Sequence, residues 1–229
     1  MKLFLSLILS LLLAACAGHA PRTGDILVLG DSVMAWNGSE NDDIANVIAN
    51  DLERSVSAGP VPGAMFTNPS RVAAAVGFDI RAQYPGGRWN WVVLNGGAND
   101  LALGDCGCGD CRAEVDSLIA QDAQGGAIPQ FVDRILASGA RVLWMGYYTA
   151  PGSSFVGCTD DFEVLETRIE RYVDSRAGAY FFDGDTVIDK ADASLFASDD
   201  THPSPRGSAL LGTALADVIR RQEDRSQKP

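Results

Sequence analysis

The uninterrupted run Ile26-Leu27-Val28-Leu29 leads straight into Gly30-Asp31-Ser32, and this junction constrains the fold more than any other stretch of the chain. Four consecutive apolar residues without alternation describe a strand buried on both faces, as in the middle of a parallel sheet. Gly30 permits a sharp turn at the strand's C-terminal end, where open α/β sheets place their ligands. Ser32 then stands at the mouth of a crevice, with backbone N–H groups around it able to face a developing anion. The same residues also fit an ordinary strand-to-helix turn in which Asp31 or Ser32 caps the helix. The rest of the chain decides between the two.

The pattern recurs along the sequence. Residues 55–58, 91–94, 142–145 and 180–182 read as four further strands. Helical spacing fills the intervals at residues 44–53, 71–76, 78–84, 112–121, 129–137, 160–175 and 207–220. In the sixth of these, Phe162, Leu165, Ile169 and Tyr172 or Val173 face inward, and in the last Leu211, Leu215, Val218 and Ile219 share one face. Five strands alternating with helices predict βαβ units, hence an α/β fold with three α/β/α layers around a mostly parallel five-stranded sheet. Residues 222–229 read as a frayed tail.

The length of 229 residues, with 46% hydrophobic and 21% charged, suits one domain with a full core. The first residues stand apart. Lys2 precedes an apolar run from Leu3 to Leu13, then Ala14-Ala15-Cys16, which is the layout of a secretory signal peptide. Leu13-Ala14-Ala15-Cys16 resembles the bacterial lipobox, which implies lipidation of Cys16. The chain therefore divides into a leader (1–15), a lipidated tether (16–23), a main domain (24–221) and the tail (222–229). A net charge of −12 argues against nucleic acid and against adsorption to anionic lipid, and favours substrates that are not strongly anionic.

A nucleophilic serine needs a base for its proton, a carboxylate to orient that base, and donors for the oxyanion. Only two histidines exist, and His19 lies in the tether. If imidazole activates Ser32, the base is His202, in Asp199-Asp200-Thr201-His202-Pro203. Asp199, three residues upstream, can curl onto Nδ1 within one turn; Asp200 is the weaker alternative because adjacent side chains diverge.

With these residues in view, the chain resembles the SGNH hydrolases of the GDSL esterase/lipase superfamily. Gly30-Asp31-Ser32 matches the first block of that family, with Val33 in place of the usual leucine. Gly97-Ala98-Asn99-Asp100 matches the third block, and Asp199 to His202 the last. The second block is one glycine, best matched by Gly63, with Gly59 as the alternative. The resemblance implies a flavodoxin-like strand order and a serine esterase with nucleophile Ser32, base His202 and orienter Asp199. The implied oxyanion hole combines the N–H groups of Ser32 and Gly63 with the Asn99 amide. Asp31 and Asp100 are read as structural, each tying down its own turn. No cofactor or metal is implied. The substrate is expected to be a small-molecule, lipid or glycan ester, and the membrane is reached through Cys16. A place in the bacterial cell envelope follows, on the outer membrane facing the periplasm. The competing expectation is a non-catalytic envelope lipoprotein that binds glycans in the same crevice. Trp36, Trp89, Tyr147 and Tyr148 are read either as lining the site or as core.

With Cys16 assigned to lipid, Cys106, Cys108, Cys111 and Cys158 remain. An even count in an exported chain predicts two disulfides in one of three connectivities, with a zinc site as the alternative. A bridge to Cys158 would pin the loop after the third strand to the loop after the fourth.

Overall fold

The computed structural model describes residues 23–152 and 155–227. The leader, Cys16, His19 and residues 16–22 of the tether lie outside the described residues. The expected five strands are present: β1 (Thr23–Leu29), β2 (Val56–Ala58), β3 (Arg88–Leu94), β4 (Arg141–Met145) and β5 (Ala179–Phe182). They pair in the order β2-β1-β3-β4-β5, every pair parallel, which is the flavodoxin-like order. Between them run α1 (Ser32–Ala35), α2 (Ile44–Leu52), α3 (Arg71–Ala75), α4 (Ile80–Gln83), α5 (Ala98–Leu103), α6 (Arg112–Leu118), α7 (Ala127–Ala137), α8 (Thr159–Asp174) and α9 (Pro205–Gln227).

Alternation along the buried strands sorts the core into two halves. Leu27, Leu29, Val92, Leu94, Val142 and Trp144 face one way, against α7 and α8. Ile26, Val28, Trp91, Val93, Leu143 and Met145 face the other, against α2 and α9. The sheet is thus covered on both sides, which is why its strands read as continuous apolar runs.

Three local features depart from the sequence expectation. Thr23 already pairs with Arg88 in β1, so the folded domain begins one residue earlier than expected. The helix α9 continues to Gln227 where a frayed tail was expected after residue 221. Glu223 explains this: its carboxylate accepts from Arg54, Arg141 and the Trp91 indole N–H, tying the last turns to the lower edge of the sheet. The short helix α5 was not foreseen. Its N-cap is Gly97, which makes no side-chain cap bond, and six residues are too few to show a period.

The four cysteines form two disulfides, Cys106–Cys111 and Cys108–Cys158. The second joins the loop after α5 to the residue that precedes α8, so a wall of the site described next is held covalently.

Candidate active site

Ser32 is the first residue of α1, placed there by two devices in the turn before it. Gly30 has φ +142°, and a Cβ at this position would come within 2.0 Å of Asn95 Oδ1. The Gln83 side chain grips both polar groups of Gly30, accepting from its N–H at 2.8 Å and donating to its carbonyl at 2.9 Å. Asp31 is the N-cap: its Oδ1 accepts from the Val33 N–H at 3.0 Å and from Asn95 Nδ2 at 2.9 Å. The Tyr147 hydroxyl donates to the other oxygen, Oδ2. Burial pushes the Asp31 carboxyl up from its ordinary value, while the Tyr147, Asn95 and Val33 donors pull it down. The capping reading and the nucleophile reading of this turn are therefore compatible, since they use different residues.

The loop between β5 and α9 delivers the histidine. Its ends are closed by Ala197 N–H to His202 O at 2.8 Å and Ser204 N–H to Leu195 O at 2.9 Å. His202 Nε2 lies 2.8 Å from Ser32 Oγ, and Nδ1 lies 2.6 Å from Asp199 Oδ2. Asp199 Oδ1 accepts from the N–H groups of Thr201 at 3.0 Å and His202 at 2.9 Å. Partial burial works against the ionised Asp199, but the imidazole and the two backbone donors outweigh it and hold the carboxyl below its ordinary value. Asp200, the alternative orienter, has φ +53° and uses its backbone carbonyl to accept from Gly152 N–H. The structure thus brings Ser32, His202 and Asp199 into one hydrogen-bonded line.

A cleft of about 430 Å³ opens beside this line and is lined by Ser32, Asn99 and His202 among others. Asn99, on the first turn of α5, donates through Nδ2 to Ala64 O at 2.9 Å. Gly63 has φ +78° and lies outside the lining of the cleft; the Asn99–Ala64 bond brings its turn alongside. The N–H of Gly59 extends the strand ladder by donating to Val28 O, so it cannot serve as an oxyanion donor. Asp100 does not tie down its own turn. Its carboxylate accepts from Phe66 N–H at 2.6 Å and Thr67 N–H at 2.9 Å, holding the loop that carries Gly63. Burial raises its carboxyl to about 7, against those N–H donors.

Among the aromatic residues, Tyr147 and Tyr148 line the cleft and Trp89 is core. Trp36 stacks on His202 with ring centroids 3.8 Å apart and planes 6° from parallel. The sequence carried no signal for Gln83, Asn95 or Glu166, whose roles depend on tertiary contacts. Glu166 Oε1 accepts from Tyr147 N–H at 2.6 Å and so fixes the chain that forms one wall. Burial, helped by Asp183, Asp185 and Glu170, raises the Glu166 carboxyl to about 8 despite that hydrogen bond.

A carboxyl raised in the folded state stabilises the fold fully below its unfolded pKa, and that contribution is lost as pH rises through the folded one. The Glu166 contribution therefore declines between about 4.5 and 8, at no more than about 1.4 kcal/mol per pH unit. Thermal melts from pH 5 to 8 are expected to fall steadily for the wild type and less steeply for Glu166→Gln. Asp31 and Asp100 shift in the same sense, so the variant's slope is reduced rather than abolished. An unchanged slope would contradict the assignment.

A serine hydroxyl, an imidazole and a carboxylate in line over the C-terminal edge of a parallel sheet define a serine hydrolase of α/β/α architecture. The chain belongs to the GDSL-like lipase/acylhydrolase family, the SGNH serine ester hydrolases, whose model matches residues 28–210. Among solved structures, its fold is similar to that of an aryl esterase from M. Smegmatis (17% identity, TM-score 0.63, covering 86% of this chain and 99% of that one). It is also similar to a carbohydrate acetylesterase from Sinorhizobium meliloti (15%, 0.61, 88% and 99%). A family two carbohydrate esterase from Clostridium thermocellum shares 17% identity at TM-score 0.57, covering 90% of this chain and 66% of that one. No curated protein sequence matches the chain significantly.

Proposed function

We propose that this chain hydrolyses carboxylic esters of small molecules or carbohydrates through an acyl-enzyme on Ser32. The observation that carries this is the 2.8 Å approach of Ser32 Oγ to His202 Nε2, with Asp199 2.6 Å from the opposite ring nitrogen. With Nδ1–H donating to Asp199, the Nε2 lone pair accepts the Ser32 proton as Oγ attacks the acyl carbon. The imidazolium then returns that proton to the departing alcohol oxygen. In the second half, His202 takes a proton from the water that attacks the acyl carbon, and as the Ser32 Oγ–carbon bond breaks the imidazolium returns that proton to Oγ and the acid leaves. A role in binding alone would need no such Ser32–His202 hydrogen bond.

The oxyanion is received by the Ser32 N–H and the Asn99 amide, both from residues that line the cleft. Asn99 uses one amide N–H on Ala64 O and keeps the second for the substrate. Asn99→Ala is expected to lower kcat by about 10²- to 10³-fold with little change in KM. A loss confined to KM would move Asn99 from transition-state stabilisation to ground-state binding.

A cleft of about 430 Å³ lies at the small end of ligand pockets, and the carboxylates of Glu163 and Asp185 line it. Both features favour compact, uncharged esters over fatty or anionic ones. A panel of p-nitrophenyl esters from acetate to palmitate, beside an acetylated polysaccharide, tests the reading. Turnover highest on the short esters or on the polysaccharide supports it, and no turnover on any of them overturns it.

The leader and Cys16 support an enzyme anchored by lipid in the bacterial cell envelope, on the outer membrane facing the periplasm. Cys16→Ser is then expected to move the protein from the membrane fraction to the soluble fraction. Its retention in the membrane would refute the anchor.

A further inference from the structure

We propose that Trp36 is a positioning residue for His202, holding the imidazole in the Ser32–Asp199 line and stabilising the imidazolium formed during acyl transfer. The proposal rests on the reading of His202 as general base. Both ring nitrogens of His202 are engaged in the ring plane, by Ser32 and Asp199, which leaves tilting out of that plane as the free motion. The indole of Trp36, 3.8 Å away and within 6° of parallel, blocks one face of the ring against that motion.

The contact is built. Trp36 ends α1, four residues after Ser32. The next residue, Asn37, adopts the left-handed conformation at φ 66° and donates through Nδ2 to Pro203 O at 3.0 Å and Ser208 Oγ at 2.9 Å. The residue after the indole is thereby tied to the residue after His202.

Stacking helps both protonation states, but the cationic one gains more, because the negative face of an aromatic ring attracts a cation. An interaction stronger once the ring has taken up the serine proton lowers the barrier rather than merely tightening binding. The other groups that face His202 are Asp199 on its own loop, Asp31 from the turn before α1, and the Tyr148 hydroxyl, which donates to Thr201 O. Glu163 and Glu166 on α8 and Asp185 after β5 line the same cleft. Position 36 carries none of these groups, so a change in imidazole behaviour on its substitution reports on the indole. Were Trp36 only a cover against water, it would disfavour the charged ring, and its removal would act in the opposite direction.

The test uses the wild type, Trp36→Leu, which keeps apolar bulk without a π face, and Trp36→Phe, which keeps a smaller π face. The His202 ring proton is titrated by NMR and assigned with His202→Gln, and kcat and KM are measured against pH on p-nitrophenyl acetate. For Trp36→Leu the titration midpoint moves to lower pH by about half a unit to one and a half, and kcat falls about three- to thirtyfold with KM little changed. Trp36→Phe recovers part of both effects. A midpoint that stays in place or moves to higher pH in Trp36→Leu overturns the proposal. If the wild type cleaves no ester, the hydrolase reading fails, and the NMR titration alone still decides whether the indole stabilises the imidazolium.

Discussion

Ser32→Ala abolishes ester hydrolysis, with kcat expected to fall by about 10⁵- to 10⁶-fold while circular dichroism is unchanged. The two halves of this expectation have separate origins in the turn. The cap of α1 is the Asp31 carboxylate and the turn is held by Gln83 and Asn95, so the fold does not depend on the hydroxyl. The hydroxyl's own hydrogen bond is to His202 Nε2, which is the chemistry being removed. Because nucleophile and base act as one unit, Ser32→Ala combined with His202→Ala should lose little more than either alone. Multiplicative losses would mean that the two residues act independently, against the arrangement described here.

Asp199→Asn is expected to lower kcat by about 10³- to 10⁴-fold, and the local hydrogen bonds say why. Asp199 Oδ1 accepts from two backbone N–H groups, whereas Oδ2 faces the imidazole. In asparagine the oxygen must stay with the two backbone donors, so the amide NH₂ turns toward Nδ1. The ring is then forced to carry its proton on Nε2, where it can no longer accept one from Ser32. The loss is thus one of tautomer, with the site's geometry retained. A tenfold effect or less would show that Asp199 does not orient the base. The pH behaviour follows the same logic. Asp199, held below its ordinary value, keeps its charge as pH falls through the mildly acidic range. A base that must be neutral to accept the Ser32 proton makes the rate fall in acid, and a flat rate from pH 8 to pH 4 would contradict that.

Much of this site could be read from residue order because its parts are local. Gly30-Asp31-Ser32 and Asp199 to His202 each place their groups within one turn, and the runs around Val28 and Val92 announce a doubly covered sheet. The strand order, by contrast, came from resemblance, since periodicity cannot say which strands are neighbours. The assignment of Asp100 to its own turn was wrong, because its partners, Phe66 and Thr67, lie more than thirty residues earlier and meet it only across the top of the sheet. Gln83, Glu166 and Asn95 likewise act on partners distant in sequence, so residue order carries no sign of them. The end of α9 was misplaced because an ion-paired Glu223 looks, in sequence, like any polar residue of a fraying terminus. Residue order offers Trp36 only a place in the site lining or in the core, and stacking on the His202 ring is neither.

The central claim is that Ser32 carries the acyl group, and covalent capture tests it most directly. A fluorophosphonate probe, followed by peptide mass spectrometry, should add one phosphonyl group to the peptide containing Ser32 and none to the Ser32→Ala variant. Labelling of that variant at the wild-type rate, or a wild-type adduct on any other residue, would contradict the account.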